Sequence, residues 1–167
     1  MVEKAKQRFE SLSLPIEVKQ GNAESLPFSD GSFDIVISES VTAFTDISRT
    51  IPEFRRVLKK DGVLLAIEMV LEKSVSEEEL APFLHFYGVS QLLTEQEWIN
   101  LFQKADFKNI SAERYKLQFD EQDIDNAADF SLSEGIDSKS FEAMEKHFHY
   151  SSVYKDILGF RIFRCSF

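Results

Sequence analysis

Two apolar runs without alternation, Phe33-Asp34-Ile35-Val36-Ile37-Ser38 and Val63 to Val70, stand on either side of a segment whose apolar residues recur at helical spacing. In that segment, Asp46 to Lys60, the residues Ile47, Ile51, Phe54 and Leu58 form one stripe, and Val57 widens it. Runs of this kind read as strands covered on both faces, as in a parallel sheet. A strand, a helix and a second parallel strand require a crossover, which is almost always right-handed. The βαβ unit therefore sets the class as α/β. Lys59 and Lys60 suit the negative end of the helix dipole and Gly62 suits a left-handed cap, so the helix is predicted to run to Lys60. Glu68 alone interrupts the second run.

The rest of the chain supplies partners for this unit. Val2 to Leu12 reads as a helix with Ala5, Phe9 and Leu12 on one stripe, and Ile16 to Lys19 as a short strand that turns away at Gly21-Asn22. Glu77-Glu78-Glu79 suits the solvated first turn of a helix. Thr94-Glu95-Gln96-Glu97 is a capping box that opens a helix lined by Trp98, Ile99, Phe102 and Ala105. Lys108 to Phe119 reads as a strand, and Ile157 to Phe167 as a strand buried on both sides. Between them an acidic stretch, about 120–150, reads as a lid or insertion with helical pieces. With 167 residues the chain amounts to one domain.

Charge and composition narrow the partners. A net charge of −10 repels phosphate, which argues against nucleic acid and anionic membrane and favours a small-molecule partner. One cysteine, Cys165, excludes an intrachain disulfide, and neither an apolar run of about 20 residues nor a signal-peptide pattern is visible. The expected location is cytoplasmic. The six glycines are scattered, so no glycine-rich nucleotide loop is present.

Three stretches carry a family resemblance. Gly21-Asn22-Ala23-Glu24-Ser25-Leu26-Pro27-Phe28-Ser29-Asp30-Gly31-Ser32-Phe33-Asp34-Ile35-Val36 resembles the approach to the fourth strand of class I S-adenosylmethionine-dependent methyltransferases. Phe54 to Leu65 is similar to the helix leading into that family's fifth strand, and Leu92 to Phe107 to the helix before its sixth. The resemblance spans about residues 2 to 119 and implies a Rossmann-like fold with a mixed sheet and an antiparallel C-terminal strand. It also implies that the family's first two strands and glycine-rich loop are missing, so that the fold is N-terminally truncated and the single domain, 1–167, is incomplete. Three outcomes are expected for a sheet lacking its middle: another polypeptide such as a complementing N-terminal fragment fills the gap, the Ile16 strand re-pairs beside Phe33, or copies of the chain pair as a homo-oligomer.

By the same resemblance the cofactor is S-adenosylmethionine, and Asn22, Ala23, Glu24, Leu26, Ser38 and Glu39 are its candidate binding residues. Asn22 and the Ala23 amide would meet the adenine edge; alternatively Asn22 only makes the turn after Gly21. Ser38 and Glu39 end a strand where open α/β sheets bind ligands, although Glu39 equally suits a solvated loop. His85 and Tyr87 fall where such enzymes build a substrate lid. A histidine in that position is more often structural than catalytic, and no catalytic residue is assigned. His147 and His149 share a face only in an extended segment, and no metal is expected. Asp61 and Asp106 replace residues that are often glycine or proline in the family, and aspartate tolerates left-handed geometry. The function implied is methyl transfer to a small-molecule acceptor, weak or absent in this chain alone, or alternatively a noncatalytic binding or regulatory subunit.

Overall fold

The computed structural model describes residues 2–114 and 137–167. In chain order the elements are helix α1 (Val2–Ser11), strand β1 (Phe33–Glu39), a 3-10 turn (Thr42–Phe44), helix α2 (Ile47–Val57) and strand β2 (Leu58–Leu71). Helices α3 (Glu77–Tyr87) and α4 (Glu95–Lys104), strand β3 (Asn109–Arg114), helix α5 (Ser138–Val153) and strand β4 (Leu158–Ser166) follow. The sheet order is β1-β2-β4-β3, with β1 parallel to β2 and the other two pairings antiparallel. The expected βαβ unit and the antiparallel C-terminal strand are both present.

One face of the sheet holds the main core. Leu64, Ala66 and Val70 of β2 and Phe163 and Cys165 of β4 pack with Ile51 and Phe54 of α2 and with Trp98 and Phe102 of α4. Trp98 is fixed further because its indole Nε1 donates to the Met69 carbonyl at 3.1 Å. Burial pushes the Cys165 thiol up to about 12, so it stays protonated as a small apolar side chain. On the other face α3 contributes Leu80 and Phe83, which pack with Tyr154, Met69 and Leu71. The capping boxes at Ser76–Glu79 and Thr94–Glu97 start α3 and α4 as those sequences require.

Several expectations are corrected. Helix α2 ends at Val57, not Lys60, because Leu58 turns inward in extended geometry and is 3% exposed. Lys59 then reaches Asp34 at 2.8 Å instead of the helix end, where Arg55 and Arg56 lie. Gly62 is a strand residue rather than a left-handed cap. The register there jumps from Phe33↔Leu58 to Ile35↔Val63, and a Cβ on Gly62 would stand 3.2 Å from the Asp34 carbonyl oxygen. Asp106 does adopt left-handed geometry, with φ 68.

Strand β1 is not covered on both faces: Ile35 is 58% and Ile37 68% exposed. Likewise β4 is buried on the Phe163 and Cys165 side, while Phe160 on the other is largely exposed. Ile16 to Lys19 forms no strand and does not re-pair beside Phe33; Ile16 is half exposed. A strand of four residues gains nothing without a backbone neighbour, and β1 pairs only with β2 among the described residues. Of the predicted strand Lys108 to Phe119, Asn109–Arg114 is β3 and the remainder from 115 lies outside the described residues. Most of the acidic stretch does too, and its last part is α5, capped by Asp137.

A polar clamp closes the sheet at its far side. Arg161 on the buried face of β4 binds Glu72 through two nitrogens, at 2.8 and 3.0 Å, and also binds Glu95 of α4. Arg114 of β3 reaches the same Glu72. Hydrogen bonds from both guanidinium groups hold the Glu72 carboxyl down at about 2, against an ordinary 4.5. Stability that depends on this carboxylate is therefore present above pH 4.5 and is lost as pH falls toward 2. Urea titrations across that window will show a smaller acid loss in Glu72→Gln than in the wild type. At neutral pH, Leu64→Ala will cost about 2–5 kcal/mol, whereas Ile37→Thr, at an exposed position of the same sheet, will cost under about 1 kcal/mol.

Candidate active site

The carboxyl ends of β1 and β2 and the amino end of α2 meet in one place. In a parallel αβ layer this is the edge at which ligands bind. Strand β1 delivers Ser38 and Glu39 to it, and Ser40 continues with φ 51 while its amide donates to the Ile67 carbonyl at 2.8 Å. The side chain of Ser38 is buried, and its Oγ lies 3.0 Å from Thr42 Oγ1 of the 3-10 turn. Thr45 and Thr50 extend this chain of hydroxyls into α2. Glu39 is exposed beside them.

The second wall is the turn at residues 22–28. Asn22 Oδ1 accepts from the Glu24 amide at 3.0 Å, so its side chain makes the turn. Ala23 is half-buried next to it. Glu24 uses one carboxylate oxygen to accept from the Asp46 amide at 3.0 Å and the other to face Arg49 at 3.4 Å. An acidic side chain suits this position because the first amides of a helix carry partial positive charge. Leu26 donates its amide to Glu53 at 2.7 Å.

Arg56 holds the remainder of this turn. Its guanidinium donates to the Leu26 and Phe28 carbonyls, to Asp30 and twice to Glu53. These bonds hold the Glu53 carboxyl below its usual range, chiefly through Arg56. Neither Arg56 nor Glu53 stands out in the sequence. The available signal was their i, i+3 spacing on one helix face, which by itself is an ordinary surface pair.

The predicted lid residues separate. His85 points to solvent, while Tyr87, on the same helix α3, is half-buried and its hydroxyl lies 2.9 Å from Nδ1 of His147 on α5. Tyr87 lines a cavity of about 130 Å³ together with Phe44, Phe83, Val89, Phe160 and Glu68. Phe83, Tyr87 and Phe160 also border a wider depression of about 440 Å³ on the side of His147 and Tyr154. Glu68, which the sequence reading noted only as an interruption, is fully buried. Its Oε1 accepts from the Thr42 amide at 3.3 Å, and its Oε2 has no partner. Burial pushes its carboxyl above the usual range. Among the described residues no group of three or more His, Cys, Asp or Glu side chains is arranged to hold a metal ion, and no helix is long and apolar enough to cross a membrane.

The donor set fits the nucleoside and sulfonium of S-adenosylmethionine. Arg49 offsets the charge of Glu24, the hydroxyl of Ser38 is neutral, and Glu39 leaves one exposed carboxylate to attract a sulfonium cation.

Comparisons with known proteins agree with the geometry. A family model described as a methyltransferase domain matches residues 1–66. YodH, an uncharacterised methyltransferase of Bacillus subtilis, is 34% identical over 163 residues, covering 98% of this chain and 69% of that protein. Phosphoethanolamine N-methyltransferase 2 of Haemonchus contortus, solved with S-adenosyl-L-methionine, superposes with a TM-score of 0.67 at 17% identity over 87% of this chain. Geranyl diphosphate C-methyltransferase of Streptomyces coelicolor superposes with a TM-score of 0.69 at 15% identity over 99% of it. At those identities the two structures establish the fold alone, and the chain spans 35% and 59% of their lengths. The Rossmann-like sheet, the matched methyltransferase domain and the near full-length likeness to YodH together establish that the chain belongs to the class I S-adenosylmethionine-dependent methyltransferases, a family whose methyl donor is S-adenosylmethionine.

Proposed function

We propose that this chain transfers a methyl group from S-adenosylmethionine to a small-molecule acceptor at the carboxyl edge of β1 and β2. The observation that carries this reading is the convergence of the 22–28 turn and the Ser38–Phe44 segment on the amino end of α2. When bound, the donor supplies an electrophilic methyl group on a sulfonium. The protein's part is to align that methyl with an acceptor and to exclude water. The 22–26 turn, with the Ala23 amide and the apolar side chain of Leu26, would take the adenine, while Ser38 and Glu39 would face the ribose and sulfonium. Tyr87 would border the acceptor; His85, on the solvent side of α3, would contact it only through a movement of that helix.

The sequence has no glycine-rich turn to seat the rest of the donor. Donor affinity in this chain alone is therefore weak. The outer edge of β1, unpaired among the described residues, and its exposed Ile35 and Ile37 favour a second reading, a noncatalytic binding or regulatory subunit whose sheet edge pairs with a partner.

Calorimetric titration of the chain with S-adenosylmethionine will give a Kd weaker than about 1 µM, less than about 8 kcal/mol of binding free energy. A tighter value contradicts the weak seat, and no binding at millimolar donor favours the second reading. Arg56→Ala will weaken that binding further. In hydrogen exchange it will speed the Leu26 amide by about tenfold or more and spare the Gly31 amide, whose acceptor is the main-chain carbonyl of Arg56.

A further inference from the structure

Glu68 is the only carboxylate among the described residues that is completely buried, and half of its bonding capacity is unused. Oε1 has a structural task, since it holds the Thr42 amide and with it the 3-10 turn. Oε2 has none among the described residues. On the same face of β2 the neighbouring positions are Ala66 and Val70, so an apolar residue would suit the strand at least as well. A buried oxygen without a partner among the described residues is a bonding position that a ligand can fill.

The surroundings of Glu68 say what kind of ligand. Its cavity is walled by four rings, Phe44, Phe83, Tyr87 and Phe160, together with aliphatic side chains, and among the described residues no cationic side chain lines it. Aromatic faces beside a single carboxylate favour a cation with an apolar body. Size narrows the choice: the volume is about 130 Å³, and an engineered apolar cavity of about 150 Å³ holds benzene. Ser40 is part of the same wall and directly follows Ser38 and Glu39, so the cavity adjoins the donor side of the edge.

We propose that this cavity is the methyl-acceptor pocket and that it takes a compact amine with an apolar body of about one six-membered ring, its nitrogen set against Oε2 of Glu68. The acceptor role rests on the methyl-transfer reading above. Bound as an ammonium, the amine gives one proton to the carboxylate: one N–H bond breaks, one O–H bond forms at Oε2, and the electron pair stays on nitrogen for attack on the methyl group. The upward shift that burial imposes on Glu68 makes it a stronger base for this step. The Tyr87 hydroxyl, also pushed upward by burial, keeps its proton and remains neutral in the wall.

The probes are benzylamine, benzyl alcohol and toluene, each titrated calorimetrically into the full chain without S-adenosylmethionine. Benzylamine will bind at least about tenfold more tightly than the other two, a difference of about 1.4 kcal/mol. Glu68→Gln, which keeps an acceptor for the Thr42 amide, will reduce that preference to less than about twofold. Equal binding of the three probes, no binding of any, or a preference that survives Glu68→Gln overturns the proposal. Should Glu68→Gln fail to fold, the wild-type series still decides between an amine pocket and a merely apolar one. The donor titration is separate from this test. Binding of S-adenosylmethionine without amine preference sinks only the pocket, and amine preference without donor binding sinks the acceptor role.

Discussion

The amino end of α2 is the joint on which the site depends. Asp46 caps the helix through the Ser48 amide, and the Asp46 amide is held in turn by Glu24 from the first turn of the site. Thr50 of the same helix reaches Thr45, Thr45 reaches Thr42, and Thr42 is bonded both to Ser38 at the end of β1 and to Glu68 on β2. Residues far apart in sequence are thus fixed by bonds to one half-turn of helix. Each of these groups would carry an unsatisfied donor or acceptor if its neighbour moved. That makes the arrangement cooperative: a change in one bond is felt by both walls of the cleft.

The same helix also divides the sheet into two unlike sides. Ile51, Phe54 and Val57 bury the side shared with α4, and Arg56, on another face of α2, reaches out to the 22–30 turn. Opposite, α3 and Tyr154 cover only the β2 and β4 end, so β1 keeps Ile35 and Ile37 in water. The most exposed part of the sheet is therefore the strand that feeds Ser38 and Glu39 to the site. Any partner that covers this strand would act on the position of those two residues through the β1 backbone, without touching the ligand.

Much of this was readable from residue patterns, and the misses share a cause. The stripe Ile47, Ile51, Phe54 and the box at Thr94–Glu97 are local signals, and both helices are present, the first of them shorter than read. Tertiary context decided the exceptions. Leu58 leaves α2 early because a buried place beside the sheet awaits it, and the Ile16 segment stays irregular because it has no strand to pair with. Apolar composition could say that β1 and β4 were strands, but not whether both faces would find cover. As candidates for the site, Asn22 and Tyr87 were visible by type and position. Arg56 and Glu68 were not, since their meaning comes from partners 28 and 26 residues away.

Glu68 shows how such a residue can be structural and chemical at once. A buried polar group left without a partner costs about 1–3 kcal/mol, a sizeable share of the 5–15 kcal/mol that typically separates folded from unfolded states. The bond from the Thr42 amide offsets the cost at Oε1 only, and the burial that raises the carboxyl's proton affinity lessens the cost further by favouring its neutral form. An ammonium brought to Oε2 would shift that balance, because it stabilises the charged carboxylate and the pair together buries no net charge. The fold tolerates Glu68 between Ala66 and Val70 at some cost, and its Oε2, without a partner among the described residues, is left to meet a nitrogen. Its two oxygens thus differ: Oε1 holds the turn at the mouth of the cleft, and Oε2 has no partner among the described residues.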